Sequence, residues 1–223
     1  MLIDILSGDF SLYTVMSSLL ASLILIFLVS PLHELAHGFA AVKLGDNTPK
    51  WQGRMTLNPM AHIDYMGALM IILFGFGWAK PVQVNMYNFK NPKRDMAITA
   101  VAGPLSNFIV ATVIGIFLAP ALVWSSGTDS ALPNIIFNLL YYLIVFNIYI
   151  GLFNLIPIAP LDGSRILSAV LPNKYYYAIM RLERYSFLII VVLFYVLNVG
   201  TVLSAIAGNY MNVLLSLSYK IFF

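Results

Sequence analysis

Residues 12–42 read LYTVMSSLLASLILIFLVSPLHELAHGFAAV, which is a long and almost unbroken apolar run. A helix needs about 20 residues to cross a hydrocarbon core about 30 Å thick, so this run can span a membrane. Its acidic and basic side chains are only His33, Glu34 and His37. Such groups are costly inside a membrane span and usually serve a function. The stretch therefore predicts a transmembrane helix that carries a functional site.

The composition of the whole chain agrees with this prediction. Of the 223 residues, 61% are hydrophobic and 9% are charged, and the mean hydropathy is +0.88. Soluble domains are about 45–50% apolar and 25% charged, so the composition excludes a soluble enzyme and a disordered chain. The chain has no cysteine, which excludes disulfides, iron–sulfur clusters and thiolate zinc sites. We expect an all-α polytopic membrane protein in which His, Asp or Glu would hold any metal.

The apolar segments predict a bundle of about four to six transmembrane helices, and we interpret residues 1–223 as a single membrane-embedded domain. A shorter segment, 65–79, is typical of a re-entrant or interfacial element. The C-terminal segment 209–223 either lies along the interface or packs into the bundle. Partial alternation near 50–58 and 80–88 predicts short β-strands at the cytoplasmic face. The four segments long enough to span the bilayer are approximately residues 12–42, 96–122, 134–158 and 185–206.

The basic residues predict the orientation of the bundle. The N-terminal residues before the first span carry only acids, and the loop 124–134 contains Asp129 and no basic residue. The positive-inside rule therefore places the N-terminus outside and makes both basic loops cytoplasmic. We expect a multi-pass protein of the plasma or inner membrane. The basic residues between the first two spans and between the last two are Lys43, Lys50, Arg54, Lys80, Lys90, Lys93 and Arg94, then Arg165, Lys174, Arg181 and Arg184.

The pattern His33-Glu34-Leu35-Ala36-His37 predicts a metal site. Its i, i+4 spacing puts both imidazoles on one face of a helix, where they can bind one zinc ion. Glu34 then lies beside the metal as a general base for a zinc-bound water. A structural role for three buried polar residues is the alternative, but the cost of burying them in a span makes it weak.

A catalytic zinc site takes three protein ligands and leaves one position open. Asp162 is the favoured third ligand because it follows two prolines at the cytoplasmic end of its span. There the chain can fold back to the depth of the imidazoles. Glu183 stands among basic residues, which favours an ion pair. Three further aspartates lie in basic loops, where we expect solvent to surround them: Asp46, Asp64 and Asp95.

Several motifs in this order resemble the site-2 proteases, the zinc intramembrane metalloproteases, in their compact bacterial and archaeal form. The resemblance covers roughly residues 20–172, and its first and last motifs are specific as a pair. The chain departs from the family pattern at Tyr65, where proline is common, and at Ser164, where glycine is common. The motifs are His33-Glu34-x-x-His37, Lys43-Leu44-Gly45-Asp46, Gly53-Arg54-x-Thr56-Leu57-Asn58-Pro59, His62-Ile63-Asp64, Gly77-Trp78-Ala79-Lys80-Pro81-Val82, Ala102-Gly103-Pro104-x-x-Asn107, and Asn154-Leu155-Ile156-Pro157 with Pro160-Leu161-Asp162-Gly163.

The resemblance implies a role for each residue of the candidate site. It makes His33, His37 and Asp162 the zinc ligands, and Glu34 the base that activates the water and later protonates the leaving amine. Asn154 matches an asparagine that steadies the substrate carbonyl or oxyanion. A neutral amide donor suits that role because it adds no buried charge. The implied activity is a zinc-dependent intramembrane endopeptidase that cleaves membrane-anchored proteins in or near their transmembrane segments.

Two other functions remain open from sequence. A membrane metal-binding or metal-transport protein would use His33, His37 and Asp162 but would have no need for Glu34. A degenerate protease acting as a scaffold is opposed by the complete set of ligands and base. For an active protease we expect membrane-anchored protein substrates, contact with the lipid bilayer and no nucleic acid. The sequence leaves the oligomeric state open.

Overall fold

The structure is a computed structural model that describes residues 12–74, 78–128, 130–172 and 183–223. Short 3₁₀ turns connect several of the helices in these ranges. In chain order the α-helices are α1 (Leu12–Ile24), α2 (Ser30–Leu44), α3 (Thr48–Trp51), α4 (Tyr65–Phe74), α5 (Pro92–Gly115), α6 (Leu118–Ser126), α7 (Ala131–Asn154), α8 (Asp162–Val170), α9 (Ser186–Tyr195) and α10 (Val199–Phe222).

Helices α1 and α2 form one long apolar helical segment. They are joined by a π-helical turn, Leu25–Val29. Pro31 in the first turn of α2 has no N–H and crowds the carbonyl four residues before it. A π-helical turn is one of the ways in which a helix accommodates such a local disturbance. The predicted first span is thereby confirmed as a continuous candidate span, Val15–Leu44.

Four helical segments in the described ranges are long and apolar enough to cross a membrane. Three of them match the first three predicted spans, within shifts of several residues at their ends. Each of the 24-residue helices α5, α7 and α10 extends about 36 Å at 1.5 Å per residue. Helix α4 has 10 residues and extends only about 15 Å. A re-entrant path for 65–79 stays a prediction, since residues 75–77 lie outside the described ranges.

The predicted fourth span, 185–206, is wrong. The chain divides it into α9 and α10 at a turn where Asn198 adopts left-handed backbone angles, with φ of 54°. Asparagine tolerates this conformation better than most residues, so an apolar run that looks continuous contains a helix break. The candidate span is α10 instead, and it includes nearly all of the 209–223 segment whose position the sequence left open.

A second helix break separates α5 from α6, within the predicted span 96–122. The hydroxyl of Ser218 on α10 donates to the carbonyl of Ile116 at 2.6 Å and accepts the N–H of Ala119 at 2.9 Å. These two bonds satisfy backbone groups that a helix end would leave unpaired. The span therefore ends earlier than the apolar run does, because a distant side chain stabilises the turn.

The segments predicted as strands, 50–58 and 80–88, contain no strand. The first holds the end of α3 and a turn at Gly53, whose φ is 66°. In the second, the backbone N–H of Val82 donates to a side chain, Glu34, rather than to a neighbouring strand. The backbone hydrogen bonds that a strand would require are thus directed to side chains and turns.

Helix α5 lies at the centre of the bundle and packs against α2, α7 and α8. Its two faces differ in the size of their side chains. Small or polar residues are buried on one face, which allows close helix approach, whereas large apolar residues on the other are exposed as on a lipid-facing surface. The buried set is Thr99, Ala100, Gly103, Pro104, Asn107 and Ala111, and the exposed set is Ile98, Val101, Leu105, Ile109 and Val113.

Candidate metal centre

His33 and His37 lie one turn apart on α2 and both are buried. Their Nε2 atoms are 3.1 Å apart, and the ring planes meet at 82°. The predicted i, i+4 geometry is therefore present, with both Nε2 atoms turned toward a common point. The face of α2 that carries them packs against α5.

Asp162 reaches these imidazoles from the first residue of α8. Its Oδ2 is 3.4 Å from Nε2 of His33 and 3.2 Å from Nε2 of His37. The return of the chain after α7 requires glycine at position 163, since a Cβ there would lie 2.2 Å from the carbonyl oxygen of Leu155. The predicted fold-back of Asp162 is present, and this close approach of backbone to backbone allows it.

The three atoms fit a tetrahedral metal ion. Zinc binds nitrogen and oxygen at about 2.0–2.2 Å, so neighbouring ligands of a tetrahedron stand about 3.4 Å apart. The observed separations are 3.1, 3.2 and 3.4 Å. A carboxylate and two imidazole nitrogens without hydrogen all carry lone pairs, which repel one another at this distance unless a cation lies between them. The set of His33, His37 and Asp162 can therefore hold a metal ion.

The outer nitrogens of both rings have hydrogen-bond partners. The Nδ1–H of His37 donates to the carbonyl of Thr99 at 2.7 Å, and Nδ1 of His33 lies 2.5 Å from Oδ1 of Asn107. A hydrogen on Nδ1 leaves Nε2 free to bind a metal. Such partners orient metal-binding histidines and raise their affinity. Helix α5 supplies both partners.

Gly103 of α5 faces the metal-binding atoms directly. A Cβ at this position would lie 2.2 Å from Nε2 of His37 and 2.6 Å from Nε2 of His33. Side-chain carbons do not approach nitrogen so closely, so only glycine leaves room for the cluster. On the side of the site opposite α2, the backbone of α5 at Gly103 therefore lies directly against the imidazoles, with no side chain between them.

Glu34 lies between the two histidines in sequence and is half-buried. Its Oε2 accepts the backbone N–H of Val82 at 2.8 Å. The carboxylate is thus held by the segment 78–85 and is not part of the three-residue cluster. This is the arrangement expected of a base that stands beside a metal without binding it.

Asp46 anchors the same segment from the end of α2. Its carboxylate accepts the N–H of Asn85 and the side-chain amide of Asn88, both at 2.7 Å, and also the hydroxyl of Thr48 at 2.6 Å. Burial opposes ionisation of the carboxyl, but these hydrogen bonds outweigh burial and hold its pKa below the ordinary value.

The expectation that solvent surrounds the three loop aspartates is wrong for two of them, because Asp46 and Asp95 are both buried. Hydrogen bonds from neighbouring donors replace water at both. Asp95 accepts the N–H of Asn91 at 3.0 Å and Nε of Arg94 at 2.8 Å. Asp46, just after α2, and Asp95, in the first turn of α5, therefore serve as hydrogen-bond acceptors and are not ligands of the cluster.

Asn154, expected as a donor to the substrate, and His62, the third histidine of the chain, both make local hydrogen bonds to backbone carbonyls. The side chain of Asn154, at the end of α7, donates to the carbonyl of Ile150 at 3.0 Å. His62 is buried apart from the site, with its Nε2–H donating to the carbonyl of Thr56 at 2.9 Å. The side chain of Glu183 lies outside the described part of the chain. Among the described residues, Asp162 completes the set with the two histidines.

Sequence reasoning gave no site role to Thr99, Gly103, Asn107 or Asn147. Asn107 and Gly103 belong to the quoted motif Ala102-Gly103-Pro104-x-x-Asn107, but their spacing fits ordinary helix packing equally well. Thr99 acts through its backbone, which carries no residue-specific signal. Asn147 is a polar residue within an apolar span, and this feature of the sequence could have indicated a buried hydrogen bond.

Comparisons with known proteins agree with the site. The model of Peptidase family M50 matches residues 20–197. "Putative zinc metalloprotease YwhC" of Bacillus subtilis (strain 168) is 40% identical over 180 residues, covering 79% of this chain and 81% of that protein. "Zinc metalloprotease MJ0392" of Methanocaldococcus jannaschii is 32% identical over 154 residues, covering 69% of this chain and 35% of that protein.

No solved structure matches this chain significantly. The family match covers most of the chain and includes both histidines and Asp162. The names of its relatives and the fit of the three-residue cluster make zinc the cofactor of this protein. The chain therefore belongs to Peptidase family M50, the site-2 protease family of zinc metalloproteases.

Proposed function

We propose that this protein is a zinc-dependent intramembrane endopeptidase that hydrolyses peptide bonds in or near the transmembrane segments of membrane-anchored proteins. The observation that carries the proposal is the convergence of His33, His37 and Asp162 to within 3.1–3.4 Å of one another, with Glu34 adjacent on the same helix. An acidic group beside a three-ligand zinc site is the arrangement that hydrolysis needs.

In this proposal His33, His37 and Asp162 hold the zinc, which when bound acts as a Lewis acid and lowers the pKa of water. Glu34 takes a proton from the attacking water on its carboxylate and later delivers that proton to the leaving amine. The hydrogen bond from Val82 occupies Oε2 of Glu34 and leaves Oε1 to accept the proton. Val82 would thereby fix the direction in which the carboxylate points.

Asn154 is proposed to donate to the carbonyl oxygen of the substrate as negative charge develops on it. Its amide has two hydrogens. One hydrogen is directed to the carbonyl of Ile150, and the other is available for a substrate.

The depth of the site supports a membrane-anchored substrate. His33 and His37 precede the end of α2 at Leu44 by about 16 and 10 Å of helix, and they are only 7% and 5% exposed. A peptide carbonyl must therefore enter the bundle to reach them, and a helical substrate must unwind locally to expose it. We place the basic loops and the near end of α2 at the cytoplasmic side of the plasma or inner membrane.

The main alternative, a membrane protein that binds or transports metal without catalysis, is not favoured. The family and the named relatives are metalloproteases. A metal carrier would also have no use for a carboxylate held 2.8 Å from a backbone N–H beside the ligands.

The test compares the purified wild type with Glu34→Gln on detergent- or liposome-embedded single-span substrates, with zinc content measured in both. We expect cleavage by the wild type only and equal zinc in both proteins. The chain has only one other glutamate, Glu183, so Glu183→Gln is the matched control and should keep both activity and zinc. Full zinc without cleavage in the wild type would favour a non-catalytic role, and loss of zinc in the control would refute the ligand assignment.

A further inference from the structure

We propose that Asn147 is a positioning residue for the metal centre: through Asn107 it fixes the hydrogen of His33 on Nδ1 and so keeps Nε2 ready for zinc. Asn147 lies on α7, outside every motif that the family resemblance used. It is fully buried, and Asn107 is 1% exposed. The inference concerns metal binding and does not require that the protein cleave peptides.

Three hydrogen bonds connect α7 to the metal centre. The side-chain Nδ2 of Asn147 donates to the carbonyl of Leu143 at 2.8 Å. Its Oδ1 accepts Nδ2 of Asn107 at 3.0 Å. Oδ1 of Asn107 then lies 2.5 Å from Nδ1 of His33. This series of hydrogen bonds runs from α7 through α5 to α2.

The direction of every bond follows from one fixed end. The carbonyl of Leu143 can only accept, so the amide of Asn147 must turn its NH₂ toward it and its oxygen toward Asn107. Asn107 must then donate to that oxygen, which leaves its own oxygen facing His33. An oxygen with no hydrogen requires a donor, so the hydrogen of neutral His33 is on Nδ1.

Without this anchor the tautomer of His33 would be free to change. An asparagine side chain can rotate by 180° and exchange its donor and acceptor. Asn107 facing His33 with its NH₂ would favour a hydrogen on Nε2, the nitrogen that must bind zinc. His37 is different, because the backbone carbonyl of Thr99 fixes its tautomer by itself. Of the two imidazoles, only that of His33 depends on a series of hydrogen bonds between side chains.

The effect should appear in zinc affinity. Changes to outer partners of metal-binding histidines commonly lower affinity 10- to 100-fold. Asn147→Leu keeps a similar volume and removes both hydrogen bonds, so we expect a loss in that range. Asn147→Asp should rescue it, because a neutral carboxylic acid can donate to Leu143 and accept from Asn107 as the amide does.

The experiment measures zinc affinity of the full-length protein in detergent by competition with a chelating indicator. Asn134→Leu is the matched control. Asn134 lies on the same helix and also donates to a carbonyl four residues back, at 3.0 Å from Ser130, but this bond is exposed and does not lead to the site. The control and Asn147→Asp should bind zinc within about threefold of wild type, whereas Asn147→Leu should not. Equal affinity in Asn147→Leu and wild type would overturn the proposal.

A second measurement reads the tautomer directly, and its wild-type result is informative by itself. The chain has three histidines, so ¹⁵N-histidine labelling gives few imidazole signals. In zinc-free wild type at pH 8 we expect the His33 ring to carry hydrogen only on Nδ1, and in Asn147→Leu we expect a mixture of tautomers with His37 unchanged. A mixture at His33 in the wild type would contradict the proposed role of Asn147, even if Asn147→Leu does not fold.

Discussion

Replacing Gly103 with alanine gives the sharpest test of the metal-site geometry. The added Cβ would stand 2.2 Å from Nε2 of His37 and 2.6 Å from Nε2 of His33. An ordinary contact needs about 3.4 Å, so α5 or the imidazoles must move apart by about 1.2 Å. Zinc coordination tolerates departures of only about 0.2 Å in distance. We expect Gly103→Ala to lower zinc affinity by at least 100-fold.

Helix propensity makes the opposite prediction for this substitution. Alanine inside a helix is favoured over glycine by about 0.5–1 kcal/mol, so a site without a steric conflict would be stabilised. Gly115→Ala on the same helix is the matched control, because its Cβ would lie 2.9 Å from Leu214 Cδ1 and far from the metal site. That variant should lose some stability and keep its zinc affinity.

The assay is zinc titration of both purified variants in detergent, with thermal unfolding recorded alongside. A folded Gly103→Ala protein that binds zinc as tightly as the wild type would refute the proposed position of α5 against the two imidazoles. Equal losses of zinc in both glycine variants would instead indicate general damage to α5.

Three further predictions follow from the structure. Val82→Pro removes the N–H that holds Glu34, and a hydrogen bond to a charged group is worth about 1.5–3 kcal/mol. We therefore expect kcat to fall about tenfold or more while zinc affinity stays unchanged. Steady-state kinetics and zinc titration measure the two effects. Asp46→Asn should lower Tm, by about 2–4 °C for each kcal/mol lost. Because the pKa of Asp46 is lowered by folding, its contribution is present above its ordinary value of 3.8 and is lost as pH falls through the folded value. The Tm difference between variant and wild type should therefore close in acid, and a constant difference would count against this account. Removal of zinc by a chelator should also lower Tm, since an ion held at 100 times its Kd contributes about 2.7 kcal/mol; Asp162→Asn should show no such response.

Local sequence was enough to predict the histidine pair and the first three spans. A spacing of four residues in a helix places two side chains on one face whatever surrounds them, so His33 and His37 could be paired without a structure. Long apolar runs likewise predict spans, because the backbone in a bilayer must satisfy its own hydrogen bonds. Asp162 also lies beside the two imidazoles as expected, since two prolines mark the place where α7 must end.

The errors arose where a distant group determines the local backbone. The break near 116–117 depends on Ser218, about 100 residues away in sequence. The absence of a strand at 80–88 follows in part because Glu34 takes the N–H of Val82. At Asn198 a single residue with positive φ interrupts an apolar run, and hydropathy alone does not reveal a helix break of this kind.

By itself the sequence therefore determined that this is a helical membrane protein with a histidine pair and an adjacent carboxylate in its first span. The tertiary structure decided which groups complete and orient that pair: Asp162 through the close approach at Gly163, the carbonyl of Thr99, the bare backbone of Gly103, and the chain from Asn147 to Asn107. The physical reason is that helical periodicity encodes which side chains share a face. The partners across helices depend instead on how closely the backbones approach and on which donor meets which acceptor there.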